Sequence, residues 1–140
     1  MSVELNWIAI LLAAISTMVV GSLWYGPLFG KVWIKLAKVK TDPNFGPKKA
    51  ALLYGGAFLS SALTATVIAI FTFIIADYFG GTFLQSSLWV GLILWAGFTA
   101  ARIHMHDSFE GRRKKLTLLN VTHELVTIEI MALIIGVMPA

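Results

Sequence analysis

The chain has 140 residues, of which 58% are hydrophobic and only 13% charged, and its mean hydropathy is +0.82. That balance excludes an ordinary water-soluble domain and points to a bilayer. Four membrane crossings of roughly 20 residues each would leave only short connections, which excludes a separate soluble catalytic domain. Absence of cysteine removes disulfides, thiolate nucleophiles and cysteine metal ligands.

Apolar runs long enough to cross a hydrocarbon core predict spans over about residues 5–25, 50–76, 83–101 and 116–138. The fold expected is all-α: an integral membrane bundle of four transmembrane helices forming one domain over 1–140. The first run carries Glu4 and no Lys or Arg at its start, and it exceeds the apolar region of a signal peptide, so it reads as a retained helix. After Pro27, the segment Lys31 to Lys40 places Val32, Leu36 and Val39 on one helical face and Lys31, Lys35 and Lys38 on another. This predicts a short interfacial helix in the headgroup layer. Asp42, Pro43, Asn44, Gly46 and Pro47 then make a turn-rich link to the second span.

All eleven Lys and Arg residues fall in two segments. Lys31, Lys35, Lys38, Lys40, Lys48 and Lys49 lie between the first two spans, and Arg102, Arg112, Arg113, Lys114 and Lys115 between the last two. Basic loops stay on the cytoplasmic side, so loops 26–49 and 102–115 are expected inside and both termini outside, N-out/C-out. The positive net charge of +4 then follows from topology and contact with anionic lipid, without nucleic acid as a partner. Trp7, Trp24, Tyr25 and Trp33 suit the aromatic belt at span ends.

Helix association in lipid depends on close backbone approach, so small residues should line the contacts. Ala9, Ala13, Thr17 and Gly21 in the first span and Gly56, Ser60 and Thr64 in the second recur at four-residue spacing. These ridges predict a compact bundle, docked to further copies of itself or to a larger membrane complex. The pair Trp24-Tyr25-Gly26 and Trp95-Ala96-Gly97 is the only hint of an internal repeat.

Ionisable groups inside a span are costly and mark candidate chemistry. In the fourth span Asn120, His123, Glu124, Thr127 and Met131 share a face, whereas Glu129 points the other way. At a rise of ~1.5 Å per residue, Glu124 would lie about 12 Å and Glu129 about 20 Å inward from Leu116. Glu129 therefore reads as a proton or cation carrier, as a protonated carboxylic acid bonded to Thr64, Thr66 or a backbone carbonyl, or as a group buried at a homo-oligomer interface. Arg102 or His106 is expected to approach His123 and Glu124 from the third span. His123, Glu124, Glu129 and Arg102 are thus the ion- or proton-handling candidates. His104, His106 and His123 are the metal-ligand candidates. No phosphate-binding glycine loop, Gly-x-Ser-x-Gly elbow or His-Glu-x-x-His zinc motif is present, so no catalytic residue and no cofactor is assigned.

Residues Asn6-Trp7, the block from Gly21 through Trp24-Tyr25-Gly26-Pro27 to Trp33, Leu119-Asn120 and Ile130-Met131-Ala132 resemble the bacterial family called domain of unknown function 1761. The resemblance runs over nearly the whole chain. It implies a small multi-spanning protein of the bacterial cell (inner) membrane, and brings no activity and no functional residues. The leading reading is a structural, accessory or oligomeric membrane subunit; the alternatives are a proton- or cation-coupled transporter using Glu129 and the His123/Glu124 face, and a metal- or cofactor-binding membrane protein.

Overall fold

The computed structural model describes residues 2–140, and among the described residues it contains five helices and no strand. Helix α1 spans Trp7–Leu28, α2 Gly30–Ala37, α3 Pro47–Phe79, α4 Phe83–Phe109 and α5 Lys114–Val137. The four longer ones are all long and apolar enough to cross a membrane.

Asn6 starts α1 by accepting hydrogen bonds from the Ile8 and Ala9 amides, 3.1 Å each, which satisfies donors that no helix supplies for itself. Its Nδ2 also donates to the Met138 carbonyl at 3.2 Å, tying the two ends of the chain together. Regular α-helix stops at Leu23 and a wider π-helical turn follows over Trp24–Leu28, closed by a Phe29 N–H to Trp24 carbonyl bond of 2.8 Å. Pro27 has no N–H to give, and Gly26 takes φ −107°, ψ −107°, so the chain bends at this point. Gly30 makes the bend possible: a Cβ there would stand 2.6 Å from the Tyr25 carbonyl oxygen.

The interfacial helix expected to reach Lys40 ends instead at Ala37. Lys38 adopts a left-handed conformation (φ +51°) and Val39 bonds back to Ile34, which takes Val39 off the face of Val32 and Leu36. Asp42 organises the following turn. Its Oδ1 accepts the Asn44 amide at 2.8 Å and its Oδ2 meets Lys49 Nζ at 3.0 Å. Those two contacts, the amide foremost, hold its pKa below the ordinary carboxylate value. Pro47 then opens α3 at a position where its missing N–H costs nothing.

At 33 residues, α3 is about 50 Å long, three residues longer at each end than the apolar run predicts. Gly80 and Gly81, both at positive φ, turn the chain into α4, which Thr82 caps through the Gln85 amide. A second π-helical turn occupies Trp95–Ala100, with Ala101 N–H reaching the Ala96 carbonyl. The helix then runs on to Phe109, well past the predicted end at Ala101. Asp107, buried at 9% exposure, holds this extension: its carboxylate accepts Thr117 Oγ1 at 2.7 Å and lies 3.7 Å from Arg112 Nε. The Glu110 carboxylate, 2.6 Å from Arg112 Nε, raises the guanidinium's pKa further.

The core gathers Ala13, Ala65, Ile68, Ala69, Val90, Ile128, Met131, Ala132 and Ile135, with Thr72 and Ser87 fully buried. Small and hydroxylated side chains thus join aliphatic ones inside, while many large apolar residues face outward: Leu63 is 68% and Phe98 73% exposed. So much exposed apolar surface is unusual for a water-soluble protein and suits an apolar solvent. Helices α4 and α5 pack closely because Gly136 lets them meet; a Cβ there would come within 2.9 Å of Leu84 Cα.

A polar groove around His123

Helix α3 buries residues only in its second half, at Ala65, Ile68, Ala69 and Thr72. Its first half stands off from α1 and α5, and the gap is a groove of about 740 Å³ at the end that carries the basic segments. Volumes of this size are typical of small-molecule sites. Thr17, Tyr25, Trp33, Tyr54, His123 and Glu124 are among its walls.

His123 is the most enclosed of the titratable groups lining it, at 9% exposure. Its Nε2 lies 3.3 Å from Thr127 Oγ1, one helical turn on. Its Nδ1 lies 3.3 Å from Glu124 Oε1 but is out of line for a hydrogen bond, and so is buried without one; the two form an ion pair only when the imidazole is protonated. The Tyr25 and Trp24 rings sit 4.8 and 5.8 Å from the imidazole, centroid to centroid. The bend after Leu23 swings both aromatics toward α5, and Gly21 lies beside the imidazole, where a Cβ would stand in ordinary van der Waals contact 3.9 Å from Nε2. Tyr25 Oη donates to Asn120 Oδ1 at 2.9 Å, and Trp95 Nε1 donates to the Val121 carbonyl at 2.9 Å. Each π-helical turn therefore delivers a tryptophan or tyrosine to the turn of α5 that leads into His123. Thr17 Oγ1 and Ser61 Oγ bridge α1 and α3 at 2.8 Å deeper in the groove.

Of the residues singled out from sequence, the structure brings together His123, Glu124, Thr127 and Asn120 on one face of α5, with Thr17 and Gly21 opposite. It does not bring Arg102 or His106 to them. Both are exposed, and Arg102 Nη1 is 3.7 Å from Met105 Sδ. The reason is the π-helical turn just before Ala101, whose extra residue rotates everything after it by about 100°, so that Asp107 faces α5 in place of Arg102 and His106. His104 is exposed too, and no group of three or more His, Asp or Glu among the described residues is placed to hold a metal ion. The three histidines are not gathered.

Glu129 lies outside the groove. It packs against α4 at Gly91, where a Cβ would stand 3.0 Å from Glu129 Oε1, and this oxygen is buried with no hydrogen-bond partner among the described residues. Thr64 and Thr66 do not reach it, because their hydroxyls bond to the Ser60 and Ala62 carbonyls of their own helix. Ala9, Ala13 and Thr17 are buried and Gly21 half-buried, whereas Gly56 and Ser60 are exposed and Thr64 half-buried. Ser60 and Thr64 line the groove instead of a helix contact, since α3 stands off there.

Four long apolar helices enclosing a polar groove, with cations confined to one end, define a small all-helical protein suited to a bilayer. The chain belongs to the family described as Protein of unknown function (DUF1761), whose sequence profile matches residues 8–136. No curated protein and no solved structure matches it.

Proposed function

We propose that the protein is a four-helix bundle in the bacterial inner membrane, with residues 26–49 and 102–115 in the cytoplasm and both termini outside, and that it handles protons or a small cation in the groove around His123 and Glu124. The observation that carries the reading is the enclosed imidazole whose Nδ1 faces a carboxylate at 3.3 Å inside a 740 Å³ groove. Such a pair can exchange a proton with a ligand seated beside it. Glu129, named with this pair from sequence, has no part in the pathway, because it lies on the other face of α5.

Proton flux measured with an internal pH dye in proteoliposomes tests this. The wild-type protein should dissipate an imposed gradient, and His123→Gln and Glu124→Gln should each abolish the flux while leaving helicity unchanged. Flux that persists in both variants overturns the reading. The absence of cysteine allows topology to be read with single-cysteine variants: Asn44→Cys and Glu110→Cys should be shielded from an impermeant thiol reagent added outside, and Glu4→Cys and Asp77→Cys should react.

The exposed run Gly55-Gly56 with Ser60 on α3 favours a second reading, an accessory subunit that presents this small-residue face to another copy or to a larger complex. Native mass spectrometry from lipid distinguishes it by showing an assembly that Gly56→Leu breaks. Four helices alone make a narrow pathway, so both readings are compatible with an oligomer.

A further inference from the structure

The groove does not end at its polar walls. A second cavity of about 660 Å³ lies between α3 and α4, and Thr64, Thr99 and Ile128 line both. The second cavity is apolar, walled by residues such as Val67, Ile93, Leu94 and Phe98. Ile93 and Phe98 are exposed on the outer surface, so this end opens sideways between the helices. The two cavities adjoin along those three residues, the first with the more polar lining and the second as its apolar annex.

The charge of the head pocket limits what it can take. No Lys or Arg among the described residues lines either cavity, and the one carboxylate is Glu124, whose side chain is 37% exposed toward the groove. An anionic headgroup would meet that carboxylate with no Lys or Arg to offset it, and His123 offsets it only when protonated. Tyr25, Trp33 and Tyr54 bring three aromatic rings to the same pocket, with Tyr25 and Trp33 paired at 5.0 Å. Aromatic faces beside a carboxylate attract a weakly hydrated cation, and most strongly where water is excluded.

Resting on the groove as the functional site, we infer that its ligand is an amphipathic organic monocation, with a quaternary or similarly soft cationic head against Glu124, Tyr25, Trp33 and Tyr54 and an apolar body in the annex between α3 and α4. The bilayer is its source. The ligand enters sideways past Phe98 and Ile93, and its head stops at Glu124.

Equilibrium binding of radiolabelled tetraphenylphosphonium and of a series of alkyltrimethylammonium ions, to protein in lipid nanodiscs with empty nanodiscs subtracted, tests the inference. Wild-type protein should bind each cation saturably, more tightly as the alkyl chain lengthens. Glu124→Gln should weaken every cation by roughly tenfold or more, since the head loses its counter-charge in a poorly solvated site. Val67→Trp, which fills the annex, should weaken the long-chain ions and leave tetramethylammonium unchanged. Equal binding by Glu124→Gln, or competition by decanol or decyl sulfate at the same concentrations as the cation, would overturn the inference. The two proposals fail separately. Proton flux that depends on His123 without any cation binding removes this one alone, and cation binding without flux removes the transport reading alone.

Discussion

The contact between Tyr25 and Asn120 is the sharpest test of how α1 is held against α5. Tyr25 Oη and Asn120 Oδ1 are 2.9 Å apart in a half-buried setting, and the same tyrosine ring covers one side of His123. Hydrogen bonds between helices in lipid contribute about 0.6 kcal/mol on average and up to about 1.7. This one belongs in the upper half of that range, because Tyr25→Phe leaves the Asn120 carbonyl short of a donor where water is scarce. A coupling of about 1 kcal/mol corresponds to roughly a fivefold change in the unfolding equilibrium. The experiment is a double-mutant cycle of Tyr25→Phe and Asn120→Leu, followed by circular dichroism during denaturation in mixed micelles. Tyr78→Phe serves as the control, since Tyr78 is 80% exposed and should show no effect. A coupling below about 0.2 kcal/mol would refute the argument that the bend after Leu23 exists to deliver Tyr25 to α5.

Glu129→Met should raise stability by about 1 to 3 kcal/mol, because it removes a buried oxygen with no hydrogen-bond partner, and should leave proton flux unaltered; denaturation midpoints and the flux assay read the two effects. Asp107→Ala should cost about 1 to 2 kcal/mol by orphaning Thr117 and releasing Arg112, and limited proteolysis should then cut the Glu110 to Arg113 turn faster. Retention of the wild-type cleavage rate would count against it as the clamp. Because the folded state depresses the Asp42 pKa, its turn is fully held above the unfolded value and is lost only as pH falls through the lower, folded one. The Asn44 amide resonance should therefore titrate with a midpoint below the ordinary 3.8, and a midpoint at or above it would show that the turn does not form.

What was legible in the sequence follows from how strongly each feature is written into residue type. Long apolar runs can only be long helices, so the number and rough limits of the four came through. Local polar geometry decided where they end. Asp107 extends α4 beyond its apolar run by bonding Thr117, ten residues later, a pairing that hydropathy does not register. Lys38 ends α2 by a left-handed turn that neither glycine nor proline announces. The His123, Glu124 and Asn120 face was readable because an unbroken α-helix keeps its period through all of α5. The cavity beside that face was not, since it comes from where α3 stands off, and the exposed Gly56 and Ser60 ridge looks in sequence like one that packs.

The misplacement of Arg102 and His106 has a more specific origin. A period of 3.6 residues was carried through Trp95–Ala100, where the helix widens to i→i+5 bonding and gains a residue. The recurrence of Trp-x-Gly at Trp24 and Trp95 was the available signal. It marks both π-helical turns among the described residues, each in a helix that runs from the end bearing the termini toward the basic end. Both turns lie at the level of the groove, one sending Tyr25 to Asn120 and the other Trp95 to the Val121 carbonyl. Such turns are seldom neutral, since they forgo regular hydrogen bonding and recur at functional sites. Two of them flanking the same stretch of α5 argue that the surroundings of His123 are shaped by the backbones of α1 and α4 as much as by side chains. Restoring regular α-helix to the second, by deleting one residue between Trp95 and Ala101, should rotate Asp107 away from Thr117 while Trp95, which precedes the deletion, keeps its bond to the Val121 carbonyl. Retention of the Asp107 to Thr117 contact would show that the turn does not set the register of α4.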